Sequence, residues 1–279
     1  MFRALAPISI AIATFCIVTT ALAQAPGRPG PGQRPRVQPD SFSLGLGIAL
    51  APRFPGDDDY VLNPFPLITW VKNGRTLRNN GFGFEYDLTK GSQLDYGPIV
   101  RFNTGRDDLN SVNDPVVEAL GKVSFTAEVG GFIGITRPIR IASGKPLLLN
   151  ARASAVQAVS GHDGFIIEGS AGIVRPSRKW ITSVSANVSY ASGNFHDAFF
   201  SVNAAQSQAS GLAEFDADAG LRDVGVASFV RYNINQTWAL NAIASYSRLL
   251  GDAADNPIVE ERGSANQAFL GLNVSYTWR

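Results

Sequence analysis

Two histidines, His162 and His196, are the side chains best suited to acid–base chemistry near neutral pH. A hydrolase or acyl-transfer site would also need a nearby serine and a polar group that orients the histidine. His196 precedes Asp197, but successive side chains of a strand point to opposite faces. His162 lies in Gly-His-Asp-Gly at 161–164, which is typical of a turn. We therefore predict that the chain is not an enzyme.

Two acidic segments are the only other candidates for a chemical site. The first contains Asp57, Asp58 and Asp59, and the second contains Asp252 and Asp255. Ca²⁺ takes six to eight oxygen ligands, and consecutive aspartates rarely converge on one ion, so solvated outer loops are the better interpretation. The single cysteine, Cys16, lies in the N-terminal apolar segment, which excludes thiolate chemistry from the rest of the chain. We expect neither a metal nor a cofactor.

The N-terminal 40 residues are predicted to direct export and then form a spacer. Arg3, an apolar run over 8–18 and Ala21-Leu22-Ala23 fit a secretory signal at 1–23, cleaved after Ala23. Residues 24–40 are rich in Pro and Gly and are expected to be a periplasmic linker. Without Arg3, the numbers of acidic and basic residues are equal, so nothing indicates a nucleic-acid partner.

Strict alternation of apolar and small or polar residues dominates the chain from Ser41 onward. In 270–278, for example, Leu, Leu, Val, Tyr and Trp alternate with Gly, Asn, Ser and Thr. Such alternation predicts two-faced strands. The segments are long, one face is rich in Gly, Ser and Asn, and the final strand is aromatic, which favours a membrane barrel over a soluble sandwich. A spanning sheet must close on itself because lipid offers no hydrogen-bond partners.

The predicted fold class is therefore all-β, a closed antiparallel transmembrane β-barrel of about 12 strands over 41–279, in the outer membrane of a Gram-negative bacterium. The expected strands are 41–51, 62–72, 76–88, 93–104, 121–137, 145–158, 164–175, 178–190, 195–204, 217–232, 236–250 and 265–278.

An even number of strands places both termini in the periplasm and predicts short periplasmic turns and long outer loops. Loops 52–61, 205–216 and 251–264 fall outside under this count, whereas the long connection 105–120 falls in the periplasm. A long periplasmic connection is either a contact surface or a sign that the strand count is wrong, and as a contact surface it joins the linker as the candidate site for a periplasmic partner. The charged residues that would contact the partner are Arg28, Arg34, Arg36, Arg106, Asp107 and Asp108.

The alternation also predicts which charges point into the barrel. The inward set contains three acids and three bases, namely Glu85, Arg101, Glu128, Arg152, Glu168 and Arg231. Ionisable groups at bilayer depth must face a wet or paired interior. Equal numbers of both signs favour a cross-linked, largely filled interior that stabilises the barrel, and a narrow solute path is the alternative.

Several phrases, in order along the chain, resemble the MipA/OmpV family of outer-membrane proteins. They are Ala51-Pro52-Arg53-Phe54-Pro55-Gly56-Asp57-Asp58-Asp59-Tyr60, Pro64-Phe65-Pro66-Leu67-Ile68, Gly97-Pro98 with Arg101, Gly105-Arg106, Glu128 with Gly130-Gly131-Phe132, Ser210-Gly211-Leu212, Gly220-Leu221-Arg222-Asp223-Val224 and Leu250-Gly251-Asp252-Ala253-Ala254-Asp255-Asn256-Pro257-Ile258-Val259.

The resemblance implies an outer-membrane location, with lipid and lipopolysaccharide as surroundings. It also implies a scaffold that connects a lytic murein transglycosylase to a penicillin-binding protein. Two alternatives stay open, a narrow channel for small solutes and a lipid-modifying enzyme dependent on His196.

Overall fold

The computed structural model describes residues 39–106, 114–140 and 146–279. These residues form a single antiparallel sheet in which neighbouring strands follow chain order. The strands are β1 Ser41–Pro52, β2 Tyr60–Pro64, β3 Leu67–Lys72, β4 Arg75–Asn79, β5 Gly83–Asp87, β6 Leu94–Asn103, β7 Thr126–Arg140, β8 Pro146–Ala158, β9 Phe165–Pro176, β10 Trp180–Ala191, β11 Gly220–Asn233, β12 Trp238–Leu249 and β13 Asn266–Trp278.

The sheet closes into a barrel because β13 pairs with β1, from Phe42 opposite Trp278 to Leu50 opposite Leu270. Both β2 and β3 pair with β1, so they are two halves of one wall strand. The break falls at Phe65-Pro66, where proline cannot donate a ladder hydrogen bond. The described residues therefore form a closed antiparallel barrel with twelve positions in its wall, which confirms the predicted fold class.

Alternation along each strand separates an apolar outer face from a small and polar inner face. On the outside, Leu46 is 68% exposed and Leu272 is 62% exposed. On the inside, Asn273 and Ser275 are buried. A continuous band of large apolar side chains around a closed sheet is stable only in lipid. Within the described ranges no helix is both long and apolar enough to span a bilayer.

Aromatic side chains distinguish the two ends of the barrel. All four tryptophans, Trp70, Trp180, Trp238 and Trp278, lie at the end where the strands are joined by short turns. Trp and Tyr prefer the membrane–water boundary, so this end lies at one interface. Such barrels carry short turns in the periplasm and long loops outside, and we assign the two ends accordingly.

Two of the predicted strands were wrong. Residues 76–88 form two strands, because Asn80 and Gly81 make a turn in which the Asn80 amide donates to the Gly83 carbonyl at 3.0 Å. Residues 195–204 are not a strand: helix α2 spans Gly193–Phe200, and helix α3 spans Ala204–Ser210. The first error lowered the strand count by one and the second raised it by one, so the total of twelve was right.

The predicted periplasmic location of 105–120 was also wrong. Because β5 is an additional strand, the strands from β6 to β10 run opposite to the predicted direction, so the described parts of this connection, 105–106 and 114–120, lie at the same end as the other long loops. Its helix α1, Pro115–Glu118, contacts α3 and helix α4, Pro257–Arg262. An ion pair of 2.5 Å between Arg262 and Asp114 fixes the same contact.

Three long connections pack together over the outer mouth of the barrel, and we call their described residues, 104–106, 114–125, 192–219 and 250–265, the lid. Its centre is the α2 face formed by Phe195, Phe199 and Phe200, which are at most 1% exposed. These rings pack with Leu249 at the strand end and with Val259 of α4. Burial of several aromatic side chains in one cluster makes the lid an apolar closure of the mouth.

Candidate functional site

A first cluster of charges fills the half of the interior nearest the short turns. Arg78 contacts Glu85 at 2.5 Å and Asp95 at 3.4 Å. Arg152 contacts Glu85 at 2.6 Å, and its guanidinium lies 4.0 Å from the centre of the Phe132 ring. Two bases and two acids thus neutralise one another, and all four side chains are mostly buried.

The missing side chain of Gly134 makes part of this cluster possible. Asp95 of β6 and Arg152 of β8 both pair with Gly134, which lies between them on β7. A Cβ at Gly134 would come within 2.6 Å of Asp95 Oδ1, which is closer than real contacts allow. Glycine therefore leaves the space in which the acid and the base approach each other across a strand.

A second cluster lies nearer the lid and is centred on Arg101. Its Nε lies 3.2 Å from Glu128 Oε2 on the adjacent strand, and its Nη1 lies 2.7 Å from Glu168 Oε2 on β9. Ser154 donates its hydroxyl to the same Glu168 oxygen at 3.2 Å. Since Arg101, Glu128 and Glu168 are at most 4% exposed, this bridge occupies the interior rather than lining an open space.

His162 connects the second cluster to the lid. The Gly164 amide donates to Nδ1 at 3.1 Å, so Nε2 carries the proton and lies 3.3 Å from Glu128 Oε1. The ring is edge-on to Phe195, with 5.0 Å between centroids, and also contacts Phe199. This histidine therefore acts as a structural link between a buried carboxylate and the aromatic centre of the lid.

A β-bulge brings a third charge pair under α2. Ser189 pairs with Asp223 and Tyr190 with Leu221, so Arg222 is an extra residue in β11. Both Arg222 and Asp223 are buried, and they form an ion pair of 2.7 Å. A bulge re-aims side chains in this way because it breaks the alternation of a strand. The Arg222 guanidinium also lies 5.5 Å from the Phe195 ring centre.

Of the six charges predicted to point inward, five fall into the first two clusters: Glu85 and Arg152 in the first, and Arg101, Glu128 and Glu168 in the second. Arg231 stands apart near the short-turn end, where its Nε donates to Asn233 at 3.0 Å. Asp95 shares its face of β6 with Arg101, so the alternation could have revealed it. Arg78 was missed because the hairpin of β4 and β5 was predicted as the single strand 76–88, in which Arg78 and Glu85 would point to opposite faces.

The predicted acidic loop residues do not converge on one point. Asp58 and Asp255 are exposed, Asp59 pairs with Arg53 at 2.8 Å, and Asp252 accepts a hydrogen bond from the Asp218 amide at 2.7 Å. Asp57 is buried at 6% exposure, and burial raises its pKa to about 6. Across the described ranges, no three or more His, Cys, Asp or Glu side chains are placed to hold a metal ion.

Two further buried polar side chains belong to the lid. Arg106 is 3% exposed, donates to the Phe199 carbonyl at 3.2 Å and lies 5.8 Å from the Phe54 ring centre. Burial lowers its pKa to about 10. His196 contacts the Asp218 carbonyl through Nδ1, and burial lowers its pKa. Arg106 is therefore not available to a periplasmic partner, and Asp107, Asp108, Arg28, Arg34 and Arg36 lie outside the described residues.

A wall of small polar side chains faces the charge clusters. It includes Ser185, Asn187, Asn241, Asn273 and Ser275. Asn241 donates to Asn273 at 3.2 Å and to Ser275 at 3.0 Å, so part of this wall is bonded to itself.

Comparison with known proteins identifies relatives of the chain. A family model described as MltA-interacting protein MipA matches residues 44–278. "Outer membrane protein Omp26La" of Vibrio anguillarum is 31% identical over 96 residues, which cover 33% of this chain and 34% of that protein. The chain thus aligns with about a third of that relative's length.

Solved structures with similar folds include the NanC porin and the P. putida toluene transporter TodX. The NanC porin is 8% identical with a TM-score of 0.39, and the match covers 84% of this chain and 98% of the porin. TodX is 11% identical with a TM-score of 0.36, and the match covers 85% of this chain and 89% of TodX. Scores this low carry no argument about function.

Proposed function

Because this chain belongs to the MltA-interacting protein MipA family and forms an outer-membrane β-barrel, we propose that it is a structural anchor that recruits murein-processing enzymes. The observation that carries the proposal is the obstructed interior. Charge pairs bridge non-neighbouring strands on one side of it at two levels, and an apolar lid covers its outer mouth. A filled barrel is suited to hold a partner at the membrane rather than to pass solutes.

The surface proposed to meet the partner is the short-turn end together with the linker. Lys90, Arg178 and Lys179 are exposed in the turns of this end. The linker adds Arg28, Arg34 and Arg36 and contains no acidic residue before Asp40. A basic surface of this kind fits an acidic face of a periplasmic enzyme and would speed its encounter with the barrel.

Capture from a periplasmic extract tests the proposal. The full chain, reconstituted in vesicles with its short-turn end accessible, should retain a lytic transglycosylase or a penicillin-binding protein. Deletion of 25–38 or the triple variant Lys90→Gln/Arg178→Gln/Lys179→Gln should reduce this capture, whereas Arg248→Gln at the opposite end should not. Failure of the wild-type barrel to capture either enzyme would overturn the proposal, as would unchanged capture in both variants.

A narrow channel is the second candidate, and one observation favours it. Asn150, Ser170, Asn187 and Ser245 each point inward with a buried polar atom that has no hydrogen-bond partner among the described residues. Buried polar atoms are normally bonded to protein or water, so water is expected beside these side chains, which lie on β8, β9, β10 and β12. Steady conductance in planar bilayers that changes in Arg152→Ala or Glu128→Ala would support the channel.

A further inference from the structure

Basic side chains form a belt on the outer surface of the barrel at its short-turn end. The belt consists of Lys72, Arg75, Arg137 and Arg175, all of which are exposed. Each belongs to a column of outward-facing residues, so its side chain starts at the membrane-facing surface and not inside the barrel.

The belt directly follows the apolar band on two adjoining strands. Trp70 pairs with Leu77, and two residues closer to the turn Lys72 pairs with Arg75. Trp70 is 47% exposed. Two residues of a strand span about 6.6 Å, so these two basic residues lie about that distance beyond Trp70, toward the short turns. That depth corresponds to the headgroups of the leaflet next to the short turns.

The same arrangement recurs elsewhere on the wall. On β7, Arg137 continues the outward column of Ile133 and Ile135. On β9, Arg175 continues the column of Ile173, which is 45% exposed. Long basic side chains at these positions can lay their stems along apolar surface and extend their charges to the headgroups.

Little negative charge of the protein is available to neutralise the belt. Lys72 pairs with Asp40 at 3.0 Å. Across the described residues, no carboxylate forms an ion pair with Arg75, Arg137 or Arg175. Residues 1–38 and 141–145 contain no Asp or Glu in the sequence, so they cannot supply one.

We propose that this belt binds the phosphate groups of anionic phospholipids in the periplasmic leaflet. Guanidinium groups are well suited to phosphate because they present several donors in one plane. Basic side chains beside a membrane surface attract anionic lipid headgroups. The proposal is independent of partner recruitment, which uses the turn tips and the linker. It gives the barrel a preference for the lipid that surrounds it.

Lipid enrichment around the reconstituted full chain tests this inference. The wild-type protein is refolded in vesicles of equal phosphatidylcholine and phosphatidylglycerol, extracted mildly, and the retained lipids are quantified by mass spectrometry. We expect phosphatidylglycerol to exceed phosphatidylcholine by about threefold or more. In Arg75→Gln/Arg137→Gln/Arg175→Gln the ratio should fall toward one, whereas the corresponding triple lysine variant should keep most of the enrichment.

Arg248→Gln is the matched control, because this exposed base lies at the opposite end of the barrel. The heat-dependent gel shift of folded barrels shows which variants fold, and Arg175→Gln alone is measured the same way if the triple variant does not. Equal retention of both lipids by the wild-type protein would overturn the proposal and leave an acidic protein as the occupant of the belt. Equal enrichment in the glutamine variant and the wild type would also overturn it.

Discussion

Arg101 on β6 and Glu168 on β9 meet inside the barrel, with 2.7 Å between Nη1 and Oε2. Two strands separate β6 from β9 in the wall, so the ion pair bridges strands that are not neighbours on one side of the barrel. Both side chains are only 4% exposed. This bridge is one structural reason for the proposal that the interior is obstructed.

Glu168→Gln should destabilise the barrel, because it leaves Arg101 with fewer charges to balance it. Removing one partner of a buried ion pair is far more costly than removing a surface charge, so we expect a loss of about 3 kcal/mol in the free energy of unfolding. Urea unfolding of the refolded protein in vesicles measures this. Asp255→Asn, at an exposed loop position, should change the free energy little, and equal effects of the two substitutions would contradict the account.

Two glycines of β7 should respond differently to alanine. In Gly134→Ala the new Cβ would meet Asp95 Oδ1 at 2.6 Å and separate Asp95 from Arg152. In Gly131→Ala the Cβ would lie 3.5 Å from the Gly97 carbonyl oxygen, which is an ordinary contact. We expect a loss of about 1–3 kcal/mol for the first substitution and little change for the second. Equal unfolding midpoints in urea would show that the space at Gly134 is not needed.

Strand alternation in the sequence was sufficient to predict the barrel and most inward charges. It did not reveal where β4 stops, because Phe82, Gly83 and Phe84 resume an apolar alternation directly after the Asn80-Gly81 turn, shifted by one residue from the outward Leu77. This one missed turn misplaced 105–120 and concealed Arg78. The alternation rule also cannot predict Arg222 and Asp223 pointing inward together, since a bulge breaks that rule.

The lid escaped prediction for a different reason. Phe195 and Phe199 are four residues apart, which is helical spacing, but the segment is short enough to fit a strand as well. The Asn203 capping box and the left-handed Gly211 after α3 are the local features that favour helix there. Contacts between separate connections then assemble the lid. Such contacts join residues far apart in the chain, so the local sequence pattern of one segment does not predict them.

Phe199→Ala should loosen the lid without unfolding the barrel. Truncating a buried phenylalanine costs about 3–5 kcal/mol, which is large for a unit made of loops and short helices. Trypsin added from outside should then cleave after Lys122 or Arg262 faster than in the wild type, as followed by gel electrophoresis. Phe125→Ala, which removes an outward-facing ring, serves as control. Unchanged cleavage in Phe199→Ala would mean that α2 does not hold the lid.

Asp57 lies in the loop after β1, which packs on the lid through a hydrogen bond of 2.8 Å from the Ser264 amide to the Gly56 carbonyl, and it should make lid stability depend on pH. Burial raises its pKa from 3.8 to about 6, so the folded lid binds this proton more tightly than the unfolded chain does. The resulting stability is fully present below about pH 4 and is lost as pH rises through about 6. Asp57→Asn should therefore resist urea unfolding better than the wild type at pH 8, with the difference disappearing near pH 4. Equal resistance at pH 8 would contradict the prediction.

An obstructed interior should not conduct ions, and single-channel recording tests this most directly. The refolded full chain is incorporated into planar bilayers, and current is recorded at fixed voltage for the wild type and for Arg101→Ala/Glu168→Ala. We predict no steady conductance for the wild type and measurable openings once the bridge is removed. A steady open current through the wild-type barrel would contradict the account and favour a solute channel.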